Sequence, residues 1–261
     1  MNSINGFDNE FDFVKYLNNK KIKELNPVFR ELVDKLFGFK NENYIIKCWR
    51  NHYKQKTDIF IKINGIMKGI SIKKGMKNSF HVERISDFVK FLEENSIDRE
   101  IIFEYLKYHY ADGSIDGRGK KRLSVEEYKK DNQNSIDRIN LHINKKNILM
   151  NAINRFVIKG KNSNYCIDAL ICGEVDDFIW ITKDDLINVA MSKINDYSTA
   201  VHFGPMTIQP KNRCLNYNYK YEKDRYCIQV KWYNLFDDII ENMNNKIIKS
   251  KEKNSNLIVK N

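Results

Sequence analysis

The stretch that decides the fold reads TDIFIKINGIMKGISIKKG, from Thr57 to Gly75. Two β-rich runs flank Asn64-Gly65. Asn-Gly in that setting is the strongest short hairpin signal, because a type I′ turn needs positive φ at both central residues. A two-residue loop pairs Ile63 with Ile66, and counting outward sets Asp58 opposite Ser71. Opposite residues share a face with Cβ atoms about 5 Å apart. Side chains alternate along a strand, so Lys73 joins Asp58 and Ser71. Ile59, Ile61, Ile63, Ile70 and Ile72 take the other face. One face is thus an isoleucine layer for a core, and the other gathers an acid, a hydroxyl and a cation. A bulge at Gly69 would spoil this register.

Working outward, Asn26 reads as a helix N-cap with Pro27 at the first helical position. Val28, Phe29, Leu32, Val33, Leu36 and Phe37 form its apolar stripe, and Gly38 closes it. Tyr44 to Trp49 reads as a strand. A helix is expected from about Ser79, with Ile85, Phe88, Val89 and Leu92 on its buried face, and another over Asp98 to Tyr110. Ala111 to Arg122, ADGSIDGRGKKR, is a polar glycine loop with a basic end. Ser124 and Glu127 make a capping box that starts a helix, and a long helix is expected over Ser135 to Asn154. Strands are expected at YCIDALIC, FIWIT and YCIQVKW, with a helix at DDLINVAMSKI. This order predicts an α/β (mixed α+β) fold. The expected organisation is one domain over residues 1–261, with a flexible basic tail over 250–261.

With 261 residues, 42% hydrophobic and 12% aromatic, the chain can bury a core and is not a disordered polymer. No apolar run approaches the roughly 18 residues of a membrane span, and the N-terminus has no basic-then-apolar leader pattern. A cytoplasmic location is the default expectation. The net charge of +11 suits a polyanion such as nucleic acid, although a Lys-, Asn- and Ile-rich composition also raises it without function. Five cysteines without a CxxC pair and five scattered histidines argue against a zinc finger and for free thiols.

A protein that holds Mg²⁺ near a phosphate usually supplies more than one anionic ligand. The second carboxylate expected beside Asp58 is Glu83, placed by the sequence in the first turns of the Ser79 helix and leaning back toward Lys73 and Gly75. At this point the pattern resembles the PD-(D/E)XK nuclease superfamily, the fold of many type II restriction endonucleases. The usual motif is an acid at the start of one strand and acid-X-Lys on the next. Here Thr57-Asp58 and Ser71-Ile72-Lys73 stand in those places. Ser71 replaces the second acid. In one branch of these enzymes that serine accompanies a glutamate moved onto the following helix, where Glu83 is expected.

The resemblance covers roughly residues 26–110 and implies a restriction-endonuclease-like core, a central mixed β-sheet flanked by helices. Residues 111–250 would then serve recognition and oligomerisation. It also implies Asp58 and Glu83 as Mg²⁺ ligands, Lys73 at the attacking water or the phosphate, double-stranded DNA as substrate, and a homodimer or higher homo-oligomer. A repair or phage-type nuclease, or an inactive DNA-binding module, keeps the same core.

Other groups compete. Glu31 is a further possible ligand or, more simply, a surface glutamate. Gln229-Val230-Lys231 with Asp168 mimics a Gln-X-Lys variant of the motif, or is a core strand with an edge lysine. Arg118, Lys120, Lys121 and Arg122 could hold phosphates, or form a solvated loop. Lys211, Asn212 and Arg213 are similar candidates, the last two able to read bases. Tyr217, Tyr219 and Tyr221 would share one strand face.

Overall fold

The structure is a computed structural model describing residues 6–53, 55–75, 79–161, 163–215 and 218–258, with no side chain described at 6, 7, 214 and 247–258. Its helices are α1 (Gly6–Leu17), α2 (Pro27–Phe37), α3 (Ile85–Glu94), α4 (Arg99–Tyr110), α5 (Val125–Ile143), α6 (Lys146–Ile153), α7 (Lys183–Ser192) and α8 (Leu235–Ile258). Its strands are β1 (Lys47–Arg50), β2 (Ile59–Ile63), β3 (Ile66–Lys73), β4 (Ser79–Arg84), β5 (Ala169–Glu174), β6 (Asp177–Thr182), β7 (His202–Phe203), β8 (Met206–Pro210) and β9 (Cys227–Trp232). They form two compact units. The first comprises residues 1–77, 158–189 and 234–261, and the second 78–157 and 190–233. The expected nuclease core over 26–110 is therefore divided between them.

The first unit is built on the hairpin. Asn64 and Gly65 have φ of +47° and +83°, as a type I′ turn requires. Ile63 pairs with Ile66 and Phe60 with Gly69, without a bulge. The sheet order is β1-β2-β3-β5-β6, with β3 and β5 parallel and the other neighbours antiparallel. Ile59, Ile61, Ile63, Ile70 and Ile72 are buried in one core with Phe13 and Leu17 of α1 and Phe29, Leu32 and Val33 of α2. Phe13, Phe29 and Phe178 meet ring to ring at 4.5–5.8 Å. The Asn26 side chain accepts from the Phe29 N–H at 2.9 Å, and Gly38 closes α2 in the left-handed region. Burying five isoleucines at roughly 1.5–3 kcal/mol each is a main source of this unit's stability.

The second unit has an antiparallel sheet in the order β4-β9-β8-β7. Its core holds Phe88, Tyr105, Tyr108, Phe156, Phe203 and Trp232, all nearly inaccessible. The Ser124–Glu127 capping box forms reciprocally at 2.7 and 3.1 Å. The helix expected over Ser135 to Asn154 is two helices. α5 begins earlier and turns through a non-helical Asn132, and α6 follows a break at Asn144. Residues 79–84 are a strand, not the expected helix start; α3 begins at Ile85. Tyr219 and Tyr221 lie in a 3₁₀ helix, not a strand, and Tyr217 lies outside the described residues. Within the expected tail the backbone is helical through Ile258, and residues 259–261 lie outside the described residues.

Cys48, Cys166, Cys172 and Cys227 are free thiols, and burial pushes Cys48 and Cys172 up to about 12. Among the described residues no helix is long and apolar enough to cross a membrane.

Candidate active site

Asp58 stands just before β2, and Ser71 follows Ile70 on β3, close enough for their side chains to meet. The β2–β3 ladder ends at Ile59 paired with Ile70, and just outside it the Asp58 N–H donates to the Ile70 carbonyl at 2.9 Å. The Ser71 hydroxyl donates to Asp58 Oδ2 at 3.0 Å, and the Ile72 N–H donates to the same oxygen at 2.6 Å. Among the described residues no hydrogen bond falls on Oδ1. Burial raises the Asp58 carboxyl above its ordinary pKa, while the Lys73 charge, the Ile72 and Ser71 bonds and the Lys56 charge pull it back. The hairpin therefore presents a partly buried carboxylate held by one oxygen beside two lysines.

A residue that the sequence reading missed joins them. Glu10 of α1 accepts from Arg50 Nε of β1 at 3.2 Å. Its carboxyl is raised by burial and then by the Asp58 charge, and lowered by Arg50 and Lys73. Glu10 is therefore within electrostatic reach of both Asp58 and Lys73. The available signal was an acid three residues before Phe13, on the buried side of an amphipathic helix.

Glu83 lies in the second unit, on β4 rather than on a helix, paired with Ile228 of β9. Its Oε2 accepts from Arg155 Nη2 at 2.8 Å and lies 3.1 Å from His81 Nε2. Its Oε1 is buried without a hydrogen-bond partner among the described residues. Arg155 rises from a π-helical turn at residues 154–158 and also donates to the Asp87 carbonyl at 3.2 Å. Glu31 is exposed on α2. Asp168 is taken by Lys68 at 3.2 Å and the Gly69 N–H at 2.8 Å. Gln229 on β9 donates to Ser79 Oγ at 2.9 Å, and the Lys231 ammonium lies over the Tyr233 ring.

The basic candidates of the second unit separate by burial. Arg118, Lys120 and Lys121 are exposed. Arg122 and Arg213, expected on the surface as DNA contacts, are buried. Arg122 donates to the carbonyls of His109 and of Tyr110, the latter at 2.8 Å. Arg213 donates to the carbonyls of Leu123, Tyr108 and Ser124 at 3.0, 3.3 and 3.0 Å. The free carbonyls at the end of α4 attract these guanidinium groups inward. Lys211 and Asn212 both bind Asp224, at 2.8 and 2.6 Å.

These donors bear on whether the site fits a divalent cation. Among the described residues Asp58 has one oxygen without a hydrogen bond, and Glu10 brings a second carboxyl into the same field. Among the described residues no group of three or more acid, histidine or cysteine side chains forms a cation cage. Two carboxylates suit Mg²⁺, which keeps several waters and completes its shell with substrate phosphate.

No family model matches the chain, and no curated protein matches it. Among solved structures it is similar to the restriction endonuclease MspI, crystallised in complex with its cognate DNA. The TM-score is 0.51 at 15% identity, over 84% of this chain and 87% of that one. The fold is therefore mixed α/β with a central mixed sheet flanked by helices, similar to that of a restriction endonuclease.

Proposed function

We propose that the protein is a Mg²⁺-dependent endonuclease of double-stranded DNA, of the type II restriction kind, working as a homodimer or higher homo-oligomer on two-fold symmetric sites. The observation that carries this reading is Asp58 locked to Ser71 on the neighbouring strand, with Lys73 next on the same face. The similarity to a restriction endonuclease supports it. Asp58 and Glu10 are the residues that would hold the cation, and it would supply Lewis-acid charge and a more acidic water. The bonds from Ser71 and Ile72 fix the Asp58 carboxyl by one oxygen. Lys73 brings a compact cation to the water or the phosphate. Arg118, Lys120 and Lys121, with Lys211 and Asn212, are the proposed DNA contacts.

Ser71, standing where an acid is expected, favours one second reading, a module that binds DNA without cutting it. Plasmid incubated with and without Mg²⁺ separates the two. Discrete Mg²⁺-dependent fragments that vanish with Asp58→Ala support the restriction enzyme. A smear indicates a non-specific nuclease, and binding without cutting sinks the enzyme. Glu10→Gln and Glu83→Gln identify the second acid. Glu10→Gln is expected to lower cutting about 100-fold with folding intact. Glu83→Gln is expected chiefly to lower Tm, since it disturbs a buried ion pair. The reverse pattern would return the ligand role to Glu83.

A further inference from the structure

On the hairpin sheet, the face that carries Asp58 also carries a row of aromatic rings. Trp49 of β1 is directly paired with Phe60 of β2, two residues from Asp58. Their ring centroids are 5.8 Å apart, and Tyr165 meets Phe60 edge-on at 5.3 Å. Phe60 is 7% exposed, whereas Trp49 and Tyr165 on either side of it are 39% and 47% exposed. A row formed only to fill a core would bury its outer rings as well. Tyr165 is held by its loop: its N–H donates to Ser163 Oγ at 3.0 Å, and that hydroxyl donates to the Tyr165 carbonyl at 2.7 Å. The next row along this face is Lys47 paired with Lys62, both exposed. The charges of Lys73 and Lys56 also act on Asp58. Open rings bordered by cations fit a polyanionic chain that also carries flat apolar groups.

We propose that Trp49, Phe60 and Tyr165 form a stacking platform for an unstacked nucleobase of the strand whose phosphate lies at Asp58. The proposal rests on the nuclease reading for that phosphate. Two residues of strand span about 7 Å, within reach of one nucleotide joining the rings to the carboxylate. Every base has a stacking face, so the platform is indifferent to sequence, and it acts only on a base out of the duplex stack. Such a base comes from a single strand or from one displaced out of a duplex.

The test titrates fluorescein-labelled dT20 and a 20-base-pair duplex into the full chain in EDTA, following anisotropy and tryptophan emission. Stacking on Trp49 quenches the emission, and Trp49→Phe removes the quench while keeping most of the affinity. Trp49→Ala and Tyr165→Ala each weaken binding about tenfold. Losses confined to dT20 identify a single strand as the source, and losses with both probes identify a displaced base. Wild-type affinity of both alanine variants for both probes overturns the platform. So does an equal loss in Trp49→Phe and Trp49→Ala, or a change of oligomeric mass in Trp49→Ala without a change in binding. Because no cutting is read, failure here leaves the Asp58→Ala plasmid result standing, and failure of cutting leaves this result standing.

Discussion

Gly69 is confined to glycine by its neighbours. A Cβ there would lie 2.9 and 3.0 Å from Thr57 Oγ1 and Cγ2 and 3.1 Å from the Cys166 carbonyl. Thr57 is 1% exposed and adjoins Asp58, so it has nowhere to move. Gly69→Ala is expected to destabilise by about 1–3 kcal/mol. Denaturant unfolding measures it, and an unchanged midpoint would mean that the strand relaxes freely. Asp58 and Ser71 were legible at this scale because one turn dipeptide sets the register of both strands. Glu10 was not legible as their neighbour, because nothing near α1 in the chain announces that its acid meets a strand 40 residues later.

At the scale of elements, α4 shows why basic residues cannot be assigned from a loop's composition. Its last carbonyls are bound by Arg122 and Arg213, two side chains from different segments. Arg213→Ala leaves several buried acceptors without a donor and is expected to cost about 3 kcal/mol in urea unfolding. Lys120→Ala and Lys121→Ala should leave stability within about 0.5 kcal/mol. Each should instead reduce the salt slope of DNA binding by about 1. A stable Arg213→Ala with a reduced slope would return that arginine to the DNA surface. Strand β4 makes the same point for backbone. Its apolar residues Phe80 and Val82, followed at once by Ile85 of α3, leave strand and helix start undecided locally, and pairing with β9, some 150 residues away, decides for strand.

At the scale of the whole molecule, stability is expected to follow His109. It is fully buried, with Nε2 2.9 Å from the Arg225 carbonyl. Burial first, and then the charges of Arg122, Arg213 and Arg225, lower its pKa to about 3. The folded state keeps the ring neutral while the unfolded chain protonates it near 6.5. Its contribution is complete above that value and is lost as pH falls from 6.5 toward 3. Between pH 7 and 5 this amounts to about 2 kcal/mol. The urea midpoint should therefore fall more steeply in wild type than in His109→Gln, and equal slopes would assign the loss to other groups.

The sequence by itself determined the hairpin, its two faces, the α2 and α5 caps and the Asp58–Ser71–Lys73 face. Each follows from contacts only a few residues apart, or from strand alternation once a turn is placed. Only the tertiary structure decided that residues 79–84 pair as a strand, that Arg122 and Arg213 face inward, that Glu10 shares the field of Asp58, and that Trp49 and Tyr165 flank Phe60. Those depend on which distant segment supplies a hydrogen-bond partner or a ring, and local periodicity carries no information about that choice.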